Sequence, residues 1–325
     1  MNWSFSQSLS FRTCPRKWFF MSKVGNALAK APLRREAFFL SKLQSVSAWR
    51  GDLVDEVIST LVIPIVAKKL PVSIDEILSK ARELFDAQLA FAREKRWRED
   101  GVKTSTANYV ALDGYQYGQD ISLELDQAWL DIEQALNNFF ALEDLWANLS
   151  EAAYLIPQKW LRFLHYGVWV TCRPDLIILY KDDPPMIVDW KVHTFGIRDY
   201  RLQLAIYALA LIRSNQSKKL PASITGYTAP EVGLLEVQLL TGKQRPHHLS
   251  DEDFEEVENY ISTSAEKMLL AATDDDEEPV SYLDIPCTSF ADACSRCAFR
   301  GICWEGSEWE KEIRCQGLKQ ISFLC

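Results

Sequence analysis

The pattern of apolar and polar positions divides the chain in two. Val54, Val57, Ile58 and Leu61 recur at helical spacing and predict a helix over 45–70. From about 70 to 150 the spacing stays helical. Ile77, Leu78, Ala81, Leu84 and Phe85 form one apolar stripe, and Ile121, Leu125, Trp129, Ile132 and Leu136 form a second. The polar stretch from Arg93 to Gly118 reads as a loop. In the opening segment, Ser6 or Ser8 is expected to cap a short helix whose apolar face includes Leu9 and Phe11.

Beyond residue 150 the period shortens. The interval from Tyr166 to Tyr180 predicts a strand pair or one bent strand, and Met186–Lys191 a short buried strand after the Asp182-Asp183-Pro184-Pro185 turn. A helix apolar on nearly all sides is predicted from Asp199 to Arg213, which implies burial. Glu231–Leu240 reads as a strand. Ser250 caps a helix running to about Ala272, and Asp274–Glu278 reads as a solvated linker.

Composition narrows the class. The chain has 325 residues, 48% hydrophobic and 25% charged, which suits one large domain with an insertion. Its net charge of −9 argues against a protein that coats nucleic acid indiscriminately. No run approaches the ~18 apolar residues of a membrane span. The start lacks a basic segment followed by an apolar run, so a cytoplasmic protein with reduced thiols and no membrane partner is expected. Eight cysteines then need another explanation, and six of them fall between Cys287 and Cys325.

The most informative chemistry is Pro174-Asp175, thirteen residues, then Asp189-Trp190-Lys191. In a strand, Asp189 and Lys191 share a face, and a proline turn between two strands can set Asp175 beside Asp189. Hard oxygen donors of this kind suit Mg2+ or Mn2+. Such an ion activates water and neutralises charge on a phosphodiester, while Lys191 orients the water or stabilises the phosphate. Gln203 and Tyr207 lie one helical turn apart on the following helix, hence on one face. Cys294, Cys297 and Cys303 make a C-x2-C-x5-C group, a spacing that binds zinc or an iron–sulfur cluster. Each alternative needs a fourth ligand, for which Cys287 and Cys14 both stand as candidates.

These segments resemble the PD-(D/E)xK nuclease superfamily, and within it the RecB-like branch, which carries a Q-x-x-x-Y helix after its D-x-K strand. The resemblance implies an α/β, restriction-endonuclease-like core, a mixed central sheet flanked by helices. It implies that Asp175 and Asp189 bind metal, that Lys191 is catalytic, that Gln203 supports the site and that Tyr207 contacts the nucleic acid strand. Arg50-Gly51-Asp52-Leu53-Val54-Asp55-Glu56 matches the branch's upstream ligand helix. Asp55 stands where a histidine is usual, so it is expected as the third metal ligand, with Glu56 as support. Ser6 to Trp18 looks like the opening of the branch's iron–sulfur members, the AddB-type helicase-nucleases and CRISPR-associated exonucleases. By that likeness Cys14 is the fourth ligand of a [4Fe–4S] cluster, with zinc as the alternative occupant.

The organisation expected is a single nuclease domain over 1–325, a helical insertion at 65–160, and a cysteine segment at 287–305 that pairs with Cys14. The activity expected is metal-dependent hydrolysis of DNA, on single strands or ends, in repair, recombination or defence, with a helicase or defence-complex protein as partner. The competing reading is a catalytically silent DNA-end-binding or scaffold subunit. Arg12, Arg16 and Lys17, with Trp18 and Phe19, are the expected strand-contacting segment, extended by Arg173 and Arg296.

Overall fold

A computed structural model describes residues 1–193, 200–214, 226–271, 285–288 and 291–303. The expected linker at 274–278, Cys315 and Cys325 lie outside the described residues, as does Asp199. The chain opens with β1 (Asn2–Trp3), α1 (Phe5–Thr13), α2 (Pro15–Phe19), α3 (Pro32–Leu40) and β2 (Leu43–Gln44). A helical stretch follows: α4 (Val46–Val57), α5 (Ile63–Ala67) and α6 (Ile74–Arg93). After β3 (Ala111–Leu112) come α7 (Asp113–Gln116), α8 (Ser122–Ala141) and α9 (Glu143–Glu151). The strands β4 (Tyr154–Pro157), β5 (Leu161–His165), β6 (Val168–Cys172), β7 (Leu176–Leu179) and β8 (Met186–Lys191) then run in succession. The remaining elements are α10 (Arg201–Arg213), β9 (Gly233–Gln238), β10 (Lys243–His247), α11 (Asp251–Leu270) and α12 (Ala291–Ser295).

The central sheet has the order β10-β9-β8-β7-β4. It is mixed, with β8 and β9 parallel and the other pairs antiparallel. Both faces are covered, as its near-continuous apolar strands require. On β7, Ile177 and Leu179 pack on the α10 and α11 side, while Leu176 and Ile178 pack on the α4, α6 and α8 side. A smaller sheet, β1-β6-β5, leans on α10.

Several sequence expectations are corrected. The helix expected over 45–70 runs without interruption from Val46 to Ala67, widened into a π turn at Ile58–Val62 between α4 and α5. Pro64 lacks an N–H and crowds the preceding turn, and the widened turn lies directly before it. Ser4 caps α1 through the Gln7 N–H, while Ser8 turns inward to the Tyr260 hydroxyl. The loop expected from Arg93 to Gly118 contains β3, which pairs with β2, and α7. The 65–160 interval is mostly helical as far as Glu151, with β3 within it, and its last residues enter the central sheet as β4. Trp18 and Phe19 are buried core residues and Arg16 is buried too, so this segment presents no stacking surface.

Helix α4 is anchored by a buried polar chain. Trp49 Nε1 donates to Gln88 Oε1 at 2.6 Å, and Gln88 Nε2 donates to Glu56 at 2.9 Å. Gln88→Leu strands the indole N–H and is expected to lower stability by about 2 kcal/mol in urea unfolding. No change would show that packing alone holds α4 to α6.

Candidate active site

Four elements converge on a cleft of about 510 Å³ at the end of the central sheet. Helix α4 contributes Asp52 and Asp55, one turn apart, and β8 contributes Trp190 and Lys191. The link from β6 in the smaller sheet to β7 in the central sheet contributes Arg173 and Asp175 around Pro174, which lacks an N–H and cannot extend either ladder. The β4–β5 link contributes Gln158, whose φ of +49° lies in the left-handed region.

Asp55 and Asp175 are joined through shared donors. Gln158 Nε2 donates to both Asp55 carboxylate oxygens at 2.6 and 2.7 Å and approaches Asp175 Oδ1 at 3.4 Å. Trp190 works from both ends: its backbone N–H donates to Asp175 Oδ2 at 3.0 Å and its indole N–H to Asp55 Oδ1 at 2.9 Å. Strand alternation puts Asp189 and Lys191 on the opposite face from the Trp190 ring. Asp189 is fully buried and pairs with Lys191, and Gln203 Nε2 donates to its other oxygen at 3.3 Å. Gln203 also donates to the Tyr207 hydroxyl. Lys191 lies 4.9 Å from the Tyr200 ring centroid, and the Tyr200 hydroxyl meets His193 Nε2 at 2.5 Å.

The electrostatics tie these groups into one unit. Burial pushes Asp175 well above the ordinary carboxylate range, and the neighbouring Asp189 adds to it. Burial likewise raises Asp189 against the opposing pull of Lys191, and raises Asp55 against the Trp190 and Gln158 hydrogen bonds. Desolvation draws the Lys191 ammonium down, but Asp189 and Asp175 outweigh it and hold it above its usual value. Tyr207 is raised well above its ordinary value by burial and then by the same two carboxylates. Asp52 keeps solvent contact, yet desolvation by the cleft walls, followed by Asp55, pushes it up to about 6.

The structure therefore brings Asp55, Asp175 and Lys191 to one cleft, with Asp189 directly behind Lys191 and Gln203 and Tyr207 behind Asp189. Glu56 turns to Gln88 instead of the cleft. Gln158, Asp52 and the two-ended role of Trp190 were not foreseen. Only Asp52 carried a sequence signal, three residues before Asp55 on the same helix face. Among the described residues, no group of three or more His, Cys, Asp and Glu side chains is already drawn together at metal-binding distances. The donor chemistry nevertheless fits a hard divalent cation. Like charges are held together in a largely buried site, and the buried Gln158 Oε1 has no hydrogen-bond partner among the described residues.

The cysteines gather elsewhere. Cys14, Cys287, Cys294, Cys297 and Cys303 line one small cavity of about 70 Å³ between α2 and the α12 segment. Backbone N–H groups point at two sulfurs, Lys17 N to Cys14 and Phe299 N to Cys297, each at 3.4 Å. Arg16 ties the two chain segments together, donating from N to Pro286 O at 3.1 Å and from Nε to Ile285 O at 2.9 Å. Phe20 stacks on Phe299 across the same seam. Five thiols with N–H donors and basic neighbours suit an anionic metal–sulfur group.

Residues 2–304 match the PD-(D/E)XK nuclease superfamily, and the chain belongs to it. Its sheet and helices are those of a mixed α/β nuclease core. Among solved structures, the protein SSO0001 matches at 13% identity with a TM-score of 0.30, covering 70% of this chain and 97% of its own. A Eubacterium rectale protein named "Putative exonuclease" matches at 16% identity with a TM-score of 0.28, covering 75% of this chain and 86% of its own. No curated protein matches.

Proposed function

We propose that this nuclease is a Mg2+- or Mn2+-dependent deoxyribonuclease of the RecB-like branch, acting on single strands or ends. The reading rests on one observation: Asp55 and Asp175 face a common cleft with Lys191, whose ammonium is locked to Asp189 behind it. Asp55, Asp175 and Asp189 would hold the cation. When bound, that ion supplies charge neutralisation at the phosphodiester and a more acidic water. Lys191, kept protonated by its carboxylate neighbours, presents a fixed positive charge to the developing charge on phosphorus. Gln203 positions Asp189 from α10, and Trp190 and Gln158 keep the other two carboxylates aligned. Arg173, open at the lip, meets the incoming phosphate backbone.

End-labelled single- and double-stranded DNA offered with Mg2+ and with Mn2+ tests this reading. Stepwise shortening of single strands is expected. Absence of cleavage on every substrate would favour the silent, end-binding subunit instead. Work in repair or defence with a helicase-type partner belongs to the same proposal.

For the cysteine cavity we propose a [4Fe–4S] cluster held by Cys14, Cys294, Cys297 and Cys303, with zinc as the alternative. It would join the two described ends of the fold. Anaerobically purified protein is expected to be brown with about four irons. Cys14→Ser should lose the broad visible absorbance and Cys287→Ser should keep it. A colourless protein carrying one zinc would refute the cluster.

A further inference from the structure

The β5–β6 hairpin presents an outer face that the core does not use. Its inward residues, Leu161, Phe163, Val168, Val170 and Cys172 among them, are buried. The outward ones alternate with them and are large. Trp160 is 67% exposed, Leu164 55%, Tyr166 88% and Trp169 38%. Two arginines are interleaved with the rings. The Arg162 guanidinium lies 3.8 Å from the Trp169 ring centroid, and that of Arg173 lies 5.4 Å from the Trp160 centroid. Exposed apolar rings gathered on one face signal a partner.

Charge and backbone indicate which partner. From Ala152 to Pro174 the chain contains no Asp or Glu, although it carries 45 acidic residues overall. The hairpin turn is Tyr166-Gly167, with φ of +42° and +80°. Such two-residue turns favour Asn-Gly, so a bulky tyrosine there is strained. Strain kept at an exposed tip points to a use for the ring. At Arg162 the strand edge is occupied, since the Ser214 hydroxyl satisfies both its N–H and its C=O. That disfavours a protein strand adding to β5. Finally, the face runs into the cleft: Arg173 lines it, and Asp175 follows two residues on.

We infer that Trp160, Arg162, Leu164, Tyr166, Trp169 and Arg173 form a stacking track that delivers single-stranded nucleic acid to the cleft. The inference rests on the nuclease reading and extends it to a substrate path. Bases stack on the rings, and the guanidiniums pair with the backbone phosphates. At about 3.4 Å per residue the face spans roughly 20 Å from Trp160 to Tyr166.

Binding of fluorescent (dT)12 to the full chain, read by anisotropy in EDTA, tests the track without turnover. Trp160→Ala and Trp169→Ala are each expected to weaken binding about tenfold, and a duplex of equal length should bind less tightly than the single strand. Tyr166→Asn should weaken binding several-fold while raising Tm by about 1–3 °C, because asparagine accepts the left-handed backbone. That opposite movement separates a binding role from loss of fold. Unchanged (dT)12 affinity in all three variants, or no binding by the wild type, would overturn the inference. The nuclease reading fails separately, through absent cleavage by the wild type in Mg2+ or Mn2+.

Discussion

Lys191→Ala is expected to lower DNA cleavage by roughly a hundred- to a thousandfold, with the fold retained. The ammonium sits against a fully buried Asp189 and within the field of Asp175, which keep it charged at neutral pH. Its removal takes away the ammonium that these carboxylates hold in place. Arginine at this position is not an equivalent, because a planar guanidinium cannot occupy the space between Asp189 and the Tyr200 ring as a compact ammonium does. Lys191→Arg should therefore recover little activity. Circular dichroism and a gel assay on the same preparations check both statements. Near-normal cleavage by Lys191→Ala would show that the reacting phosphate lies elsewhere.

Asp175→Asn is expected to move stability and activity in opposite directions. Asp175 shares its surroundings with Asp189 and Asp55, and burial with like-charge repulsion raises its proton affinity. An amide removes that repulsion yet still accepts the Trp190 N–H through its carbonyl oxygen. The metal-free variant should gain about 1 kcal/mol in urea unfolding. Cleavage should fall by about a thousandfold, since a neutral amide is a poor donor for a hard divalent ion. A variant that lost stability while keeping activity would indicate a structural carboxylate.

What could be read from the residues, and what could not, follows from the range of the interactions. The Asp189-Trp190-Lys191 strand and the helix carrying Gln203 and Tyr207 announce themselves by short-range periodicity, which backbone geometry enforces locally. The facing of Asp189 and Lys191 follows from the same alternation. Gln158 was invisible because its contact with Asp55 spans 103 positions and depends on a left-handed backbone after Pro157. Trp18 and Phe19 face the core instead of solvent for a related reason. Aromatic and basic residues mixed in a short segment leave open which side meets the core, and here the rings went inside. The π turn before Pro64 leaves no mark in the apolar spacing of the helix. The outward aromatic face of the hairpin was present in the alternation from Trp160 to Trp169, but without knowledge of the covered side it had no direction.

The central claim is that Asp55, Asp175, Asp189 and Lys191 form one metal-dependent phosphodiesterase centre. It is tested most directly by the rate at which end-labelled single-stranded DNA is cleaved by wild type and by Asp189→Asn in Mn2+, with an EDTA control. The account predicts cleavage by the wild type that EDTA abolishes and that the variant lacks. Equal cleavage by the two proteins, or cleavage that persists in EDTA, would contradict it.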